Sequence, residues 1–345
     1  MKKLYVPVLA LLTLASCSKS ELANRPVVEN DMVEIMATSK ALTIETRAPF
    51  EGQIASNNTL TAVVLGSTTT GDYTNTYCDG TITFADDTNA EGFDTPQYYP
   101  VNDDVIYLCA LYPTPATDWK SIATTAKYTF DGKTDVMAAA HQSNNKSGAM
   151  AGTVPSFTFK HLLTKLIVKV KAEDQAAADK WGDITAISLV KANNSDVNTT
   201  AEVTLATGAA ATGTAFSDVA AAGMAFYRID AAATPAYTDN AVDATNKITL
   251  TTTANEAAYS LVAPIVAGNS TDHFTLKVDT DLAGTATTKE VALKLNTADA
   301  TPVVFTGDTQ GQAFEITLIF KATEIVATAT VTDWVKGGNT EVEIQ

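Results

Sequence analysis

Basic side chains are scarce in this chain: 23 Lys and Arg stand against 39 Asp and Glu, for a formal net charge of −16. No Lys/Arg cluster interrupts the acidic composition, which argues against nucleic acid as a partner, since phosphate binding needs a basic footprint. Cysteine is nearly absent, occurring only as Cys17, Cys78 and Cys109. A dense disulfide framework is therefore excluded; Cys78 and Cys109 can be read as a pair or as two small core residues. Histidine is equally rare, and His141, His161 and His273 are too scattered to compose a metal site. His161 reads instead as a packed histidine with one hydrogen bond. There is no nucleophile elbow and no phosphate loop. Asp86-Asp87 and Asp103-Asp104 are adjacent turn carboxylates, not a pair facing across a cleft as glycoside hydrolysis requires. Asp279, Asp281, Gly284 and Glu290 follow a calcium-loop spacing, yet Ala283 takes a ligand position and strands flank the segment, so a hairpin turn is the better reading. Trp119, Trp181 and Trp334 are read as packing residues in preference to a sugar platform. No catalytic residue, metal or cofactor is expected.

Long hydrophobic runs are missing as well. The one apolar stretch, Leu4 to Leu14, is too short to span a bilayer as a permanent helix. It follows Lys2 and Lys3 and ends in Leu14-Ala15-Ser16-Cys17, small residues leading into a cysteine. This pattern closes a secretory signal so that Cys17 becomes the acylated first residue of an exported protein. Each buried acyl methylene adds roughly 0.8 kcal/mol of membrane affinity, so several chains hold such a protein firmly. A plain signal peptide followed by an ordinary buried cysteine fits the pattern less closely.

What remains after the leader is long enough for two ordinary domains or one large β-domain. Short alternating β-branched or aromatic segments dominate it: Leu60 to Leu65, Thr81 to Phe84, Val105 to Tyr112, Leu166 to Lys171, Ile184 to Val190, Phe274 to Val278, Val291 to Leu295 and Phe314 to Phe320. Only Asp174 to Trp181, stopped by Gly182, has a helical pattern. Packed antiparallel sheets are therefore expected. A composition shift at Gly148 to Pro155 marks the expected domain boundary, and the Ala/Thr-rich stretch Ala206 to Ala222 reads as a long surface excursion.

Arginine occurs only at positions 25, 47 and 228. Arg25 precedes Pro26, which disfavours trypsin-like cleavage, and Arg228 lies in a strand-like segment. Arg47 differs, following Ala41 to Thr46 and preceding Ala48-Pro49 at the mouth of an expected loop, where nicking concentrates. From position alone it also reads as an ordinary surface arginine. At the other end, Val326 to Trp334 is strand-like, Lys336-Gly337-Gly338-Asn339 breaks the pattern, and Thr340 to Gln345 alternates to the last residue. A chain that ends this way carries an edge strand or an extended arm, and an unpaired edge is a liability unless something uses it. A removable strand and a terminal arm are the two parts needed for one subunit to complete another's sheet.

In this order the motifs resemble the fimbrillins, lipoprotein precursors of the type V pili of Bacteroidales. The matching pieces are Leu14 to Cys17, Tyr98-Tyr99-Pro100 with Val105 to Pro113, Phe157 to Leu166, Tyr259 to Pro264, Gly311 to Leu318 and Val331 to Trp334. The resemblance implies two transthyretin-like antiparallel β-sandwich domains: a leader over 1–16, a propeptide with a removable first strand over 17–47, domains over 48–156 and 157–325, and a donor-strand arm over 326–345. It further implies lipidation at Cys17, cleavage between Arg47 and Ala48, and insertion of Val331, Val342 and Ile344 into a neighbouring copy's groove. The implied partners are copies of the same chain, other fimbrial subunits, the outer membrane before processing, and a host glycan or protein ligand. The implied location is the outer membrane, then a surface fimbrium. A stalk subunit accounts for both arm and cleavage site; the alternatives are a tip adhesin or a non-polymerising surface lipoprotein that binds glycans.

Overall fold

The computed structural model describes residues 28–29, 32–41, 59–85, 89–115, 124–192, 197–205, 215–219, 223–230, 236–264, 274–293 and 310–332. The fold is all-β and sandwich-like, and the alternating segments form strands where expected. A seven-stranded sheet runs Cys78–Phe84, Leu60–Ser67, Ile106–Tyr112, Met137–Asn144, Ser156–His161, Met36–Ala41 and Glu91–Gly92. Successive residues of a strand face opposite sides of the sheet. On Leu60–Ser67, Leu60, Ala62 and Val64 accordingly enter one core while Val63 and Leu65 enter another. That two-faced burial explains the near-continuous apolar run of this strand.

The second half builds a six-stranded sheet in the order Ala236–Ala241, Tyr227–Asp230, Asn255–Val262, Thr164–Ala172, Ala313–Phe320 and Ile325–Thr332. Its inward residues Leu166, Val168, Phe314, Ile316 and Leu318 share a core with Ile187, Leu189, Leu276 and Val278 of a further sheet, built on Asp183–Ala192, Phe274–Leu282 and Thr285–Leu293. Among the described strands, two pairings depart from the antiparallel expectation. Met36–Ala41 lies parallel to Ser156–His161, and Thr164–Ala172 parallel to Ala313–Phe320.

The helix Gln175–Trp181 matches its sequence pattern. Asp174 caps it by accepting from the Ala177 amide at 2.8 Å, and Gly182 ends it with φ 71°. A Cβ at Gly182 would lie 2.2 Å from the Asp281 carbonyl oxygen, so a side chain cannot be accommodated there. The single-turn helix Lys146–Met150, capped by Asn145, lies in the segment read as a boundary.

The expected boundary at 156/157 falls beside the passage between the two large sheets. Ser156–His161 still belongs to the seven-stranded sheet, and the chain passes to the next sheet at Leu162-Leu163. The halves are not separate: Thr125–Thr129 pairs with Asn198–Thr204, which pairs with Ala215–Val219. The last of these strands falls inside the stretch expected to be a surface excursion. That strand, Ala215-Phe216-Ser217-Asp218-Val219, carries no sustained alternation in sequence, and the pairing partner supplies the order instead.

Candidate functional site

The N-terminal strand is held from both sides. Ser156, Phe157, Thr158 and Phe159 pair in parallel with Thr38, Ser39, Lys40 and Ala41. On its other flank the Ile35 amide donates to the Gln97 carbonyl at 2.8 Å, and the Tyr99 amide donates to the Val33 carbonyl at 2.9 Å. Val33, Ile35, Ala37 and Ser39 alternate along the segment and are all 0% exposed. Beneath them lie Phe84, Phe157 and Phe159, whose ring centroids are 6.2 to 6.4 Å apart. Val33 and Ile35 each contribute roughly 1.5–3 kcal/mol through burial.

The occupancy of this seat is imperfect. The buried Ser39 hydroxyl has no hydrogen-bond partner among the described residues, which costs about 1–3 kcal/mol, and Ala37 fills little volume. Burial also raises the carboxyl of Glu34 above its ordinary value.

At the far end of the chain, Ile325–Thr332 forms the edge of the six-stranded sheet, antiparallel to Ala313–Phe320, with Val331 opposite Phe314. Val331 is thus paired within its own sheet. Ile325, Val326 and Ala327 are half-buried. Because Ala313–Phe320 runs parallel to Thr164–Ala172, Thr332 emerges beside Ala313, near the Leu162-Leu163 link. Cys17, Arg47, Ala48, Val342 and Ile344 lie outside the described residues. Arg228 sits within Tyr227–Asp230, where its guanidinium donates to the Lys247 carbonyl and lies 3.8 Å from Asp230.

Several sequence alternatives are resolved. Cys78 and Cys109 are free and buried. Cys78 shares a face with Leu108, since both stand opposite Gly66, so Cys109 projects from the other face and the two cannot meet. Burial pushes both thiols up to about 12. Asp279 and Asp281 belong to a hairpin whose turn is Ala283-Gly284, with φ 50° and 88°, and Asp281 accepts from the Gly284 amide at 2.7 Å. Trp181 packs edge-on to Phe320 and donates to the Lys321 carbonyl at 2.7 Å.

His161 was expected to make one hydrogen bond, and its Nδ1 lies 2.7 Å from Oδ2 of Asp135, both residues buried at the end of the strand that seats the N-terminal segment. The identity of the partner was not legible, because Asp135 sits in an ordinary turn-like sequence. Nor was the buried Lys165, whose Nζ lies 4.4 Å from the Tyr237 ring centroid, or the parallel seat itself. The alternation of Phe157 and Phe159 was the available sign of a strand lining that seat.

Residues 46–344 match a family model described as fimbrillin-like. No curated protein sequence matches the chain significantly. Among solved structures, the chain is similar to a candidate cell adhesion protein from Bacteroides uniformis, with 19% identity and a TM-score of 0.49 over 87% of this chain and 99% of that one. It is also similar to a fimbrial protein from Bacteroides vulgatus, with 15% identity and a TM-score of 0.47 over 87% of this chain and 99% of that one.

Proposed function

The chain belongs to the fimbrillin-like family, and from that premise we propose that it is a structural subunit of a surface fimbrium, exported as a lipoprotein acylated at Cys17, trimmed between Arg47 and Ala48, and polymerised by donor-strand exchange. The observation that carries this reading is the N-terminal strand: a buried, parallel segment whose Ser39 hydroxyl has no partner among the described residues, followed a few residues later by Arg47. Cleavage after Arg47 leaves that strand attached only by its pairing. Its departure opens a groove lined by Phe84, Phe157 and Phe159. Val342 and Ile344 of another copy are larger than Ala37 and Ser39, and each gains roughly 1.5–3 kcal/mol on burial there. Subunits joined head to tail make an open filament.

The test is the N-terminus of sheared surface material, read by mass spectrometry. A start at Ala48 without lipid is expected, and Arg47→Ala leaves an unpolymerised lipoprotein. Assembled fibres that begin at acylated Cys17 overturn the reading. Cys17→Ala, lacking acyl chains, fails to reach the outer membrane.

A tip or non-polymerising role is favoured by one observation, the pairing of Val331 within its own sheet. Deleting Thr340 to Gln345 separates the two. A stalk subunit stays folded and loses its polymer ladder; a subunit that keeps its terminal strand at home loses stability instead.

A further inference from the structure

Six large apolar side chains are exposed among the described residues, and five of them cluster at one pole of the seven-stranded sheet. Val101 is 77% exposed and Met150 64%, with Val105, Met32 and Tyr77 beside them. Their proximity follows from bonds that tie the segments together. Asp103, between Val101 and Val105, accepts from the amide and hydroxyl of Ser147, each at 2.7 Å, on the helix that carries Met150. That helix packs against Met32–Val33, and the Tyr77 hydroxyl donates to the Tyr98 carbonyl at the start of the same loop. This pole is where the N-terminal strand enters its seat; the strand ends toward the opposite side, beside Phe159.

We propose that this pole docks Trp334-Val335 of a second copy, whose arm takes the seat in the same direction as the strand it replaces. The inference rests on the strand-exchange reading above. An arm entering in that direction begins at the pole, so with Thr340 at the mouth of the groove, the residues preceding it lie over the patch. Lys336 to Asn339 span roughly 13 Å when extended, which sets Trp334 and Val335 on Val101, Val105 and Met150. Charge is complementary on balance: Asp103 and Asp104 outnumber Lys146, which already faces Asp103, so Lys336 meets a net acidic rim. Trimming removes Met32 and leaves the other four residues in place. The two Gly residues, Gly337 and Gly338, allow the turn between the docked tryptophan and the inserted arm. The same carboxylates disfavour an anionic lipid surface as the occupant.

The test is disulfide trapping in fibres assembled from two populations of the full-length protein, one bearing Trp334→Cys and the other Met150→Cys. Both native thiols in the body, Cys78 and Cys109, are buried. Covalent dimers joining the two populations are expected, with yields at least tenfold above those for Trp334→Cys mixed with Leu282→Cys, an exposed residue on a hairpin tip. Fibres that assemble normally but trap Trp334→Cys against Gln312→Cys place the arm in the reverse direction and overturn the docking, while strand exchange stands. Fibres that trap Met150→Cys only to itself, or that trap nothing at the pole, also overturn it. If the parent protein forms no fibres, both the docking and the strand-exchange reading fall. As a second variant, Val101→Asp with Met150→Asp alters only exposed positions, so folding is retained; polymer ladders are expected to dissociate at least tenfold faster, and an unchanged rate counts against the docking.

Discussion

The strand Met36–Ala41 sits inside its sheet, preceded by buried Val33 and Ile35, whereas Ile325–Thr332 forms the rim of its sheet and leaves Ile325, Val326 and Ala327 half-exposed. In sequence both are short, alternating and rich in small residues. What distinguishes them is the surface underneath. The first covers three phenylalanines and cannot leave without opening a core; the second lies against Ala313–Phe320, and of its described side chains only Ile325 and Ala327 pack against the core. A strand's hold is therefore set by the face it covers more than by its own hydrophobicity.

The largest expected effect separates these two strands directly. Ile35→Ala is expected to destabilise the unprocessed protein by about 2–5 kcal/mol in urea unfolding, and Ile325→Ala by about 1 kcal/mol. Equal losses would erase the distinction. Next comes Asp135→Asn, which weakens the buried contact with His161 at the end of the seat and should cost about 1–3 kcal/mol. If it falls on unfolding stability without loosening the N-terminal strand to proteolysis, the seat does not depend on that pair.

The two thiols sharpen the contrast, since Cys78 shares a core with Val33 and Ile35 while Cys109 shares one with Phe314 and Ile316. With Cys17 replaced, neither should be alkylated readily at pH 8. Release of the N-terminal strand is expected to speed modification of Cys78 about tenfold and leave Cys109 unchanged. Mass spectrometry of the alkylated peptides reads the order, and parallel increases would mean that both cores open together.

The smallest effect is a control on a partly exposed ion pair that belongs to neither strand. Asp183 lies 2.5 Å from Lys247, whose ammonium holds the carboxyl below its ordinary value. Its folded value lies below its unfolded one, so the contribution is complete above about pH 4 and disappears as pH falls through the lowered value. Asp183→Asn should flatten that acid limb by about 0.2–1 kcal/mol. A larger change would show that the second sandwich is coupled to this pair.

Much of the strand content was legible, because two-residue alternation and β-branched composition report local geometry. Leu60–Ser67, Ile106–Tyr112 and Ala313–Phe320 all follow from it. Partner choice was not legible. Nothing in Met36–Ala41 names Ser156–His161 as its neighbour, or predicts that the pair runs parallel, since that is fixed by chain crossings far away in sequence. The passage between the two large sheets at Leu162-Leu163 is apolar and buried, so composition alone gives no sign of it. Of the site, the lining phenylalanines left a periodic trace, while the exposed pole joins residues from separate loops and left none.

The bridge from Thr125–Thr129 to Asn198–Thr204 bears on how the molecule responds to pulling. Tension applied between the N-terminal seat and the C-terminal strand cannot stretch the Leu162-Leu163 link by itself, because this second crossing spans the same two halves. Traction along Ala313–Phe320 and Thr164–Ala172, which run side by side in one direction, loads their ladder in shear across eight paired residues at once. Such a body resists as a single tie, and a force-extension trace should show one rupture for both halves, not two.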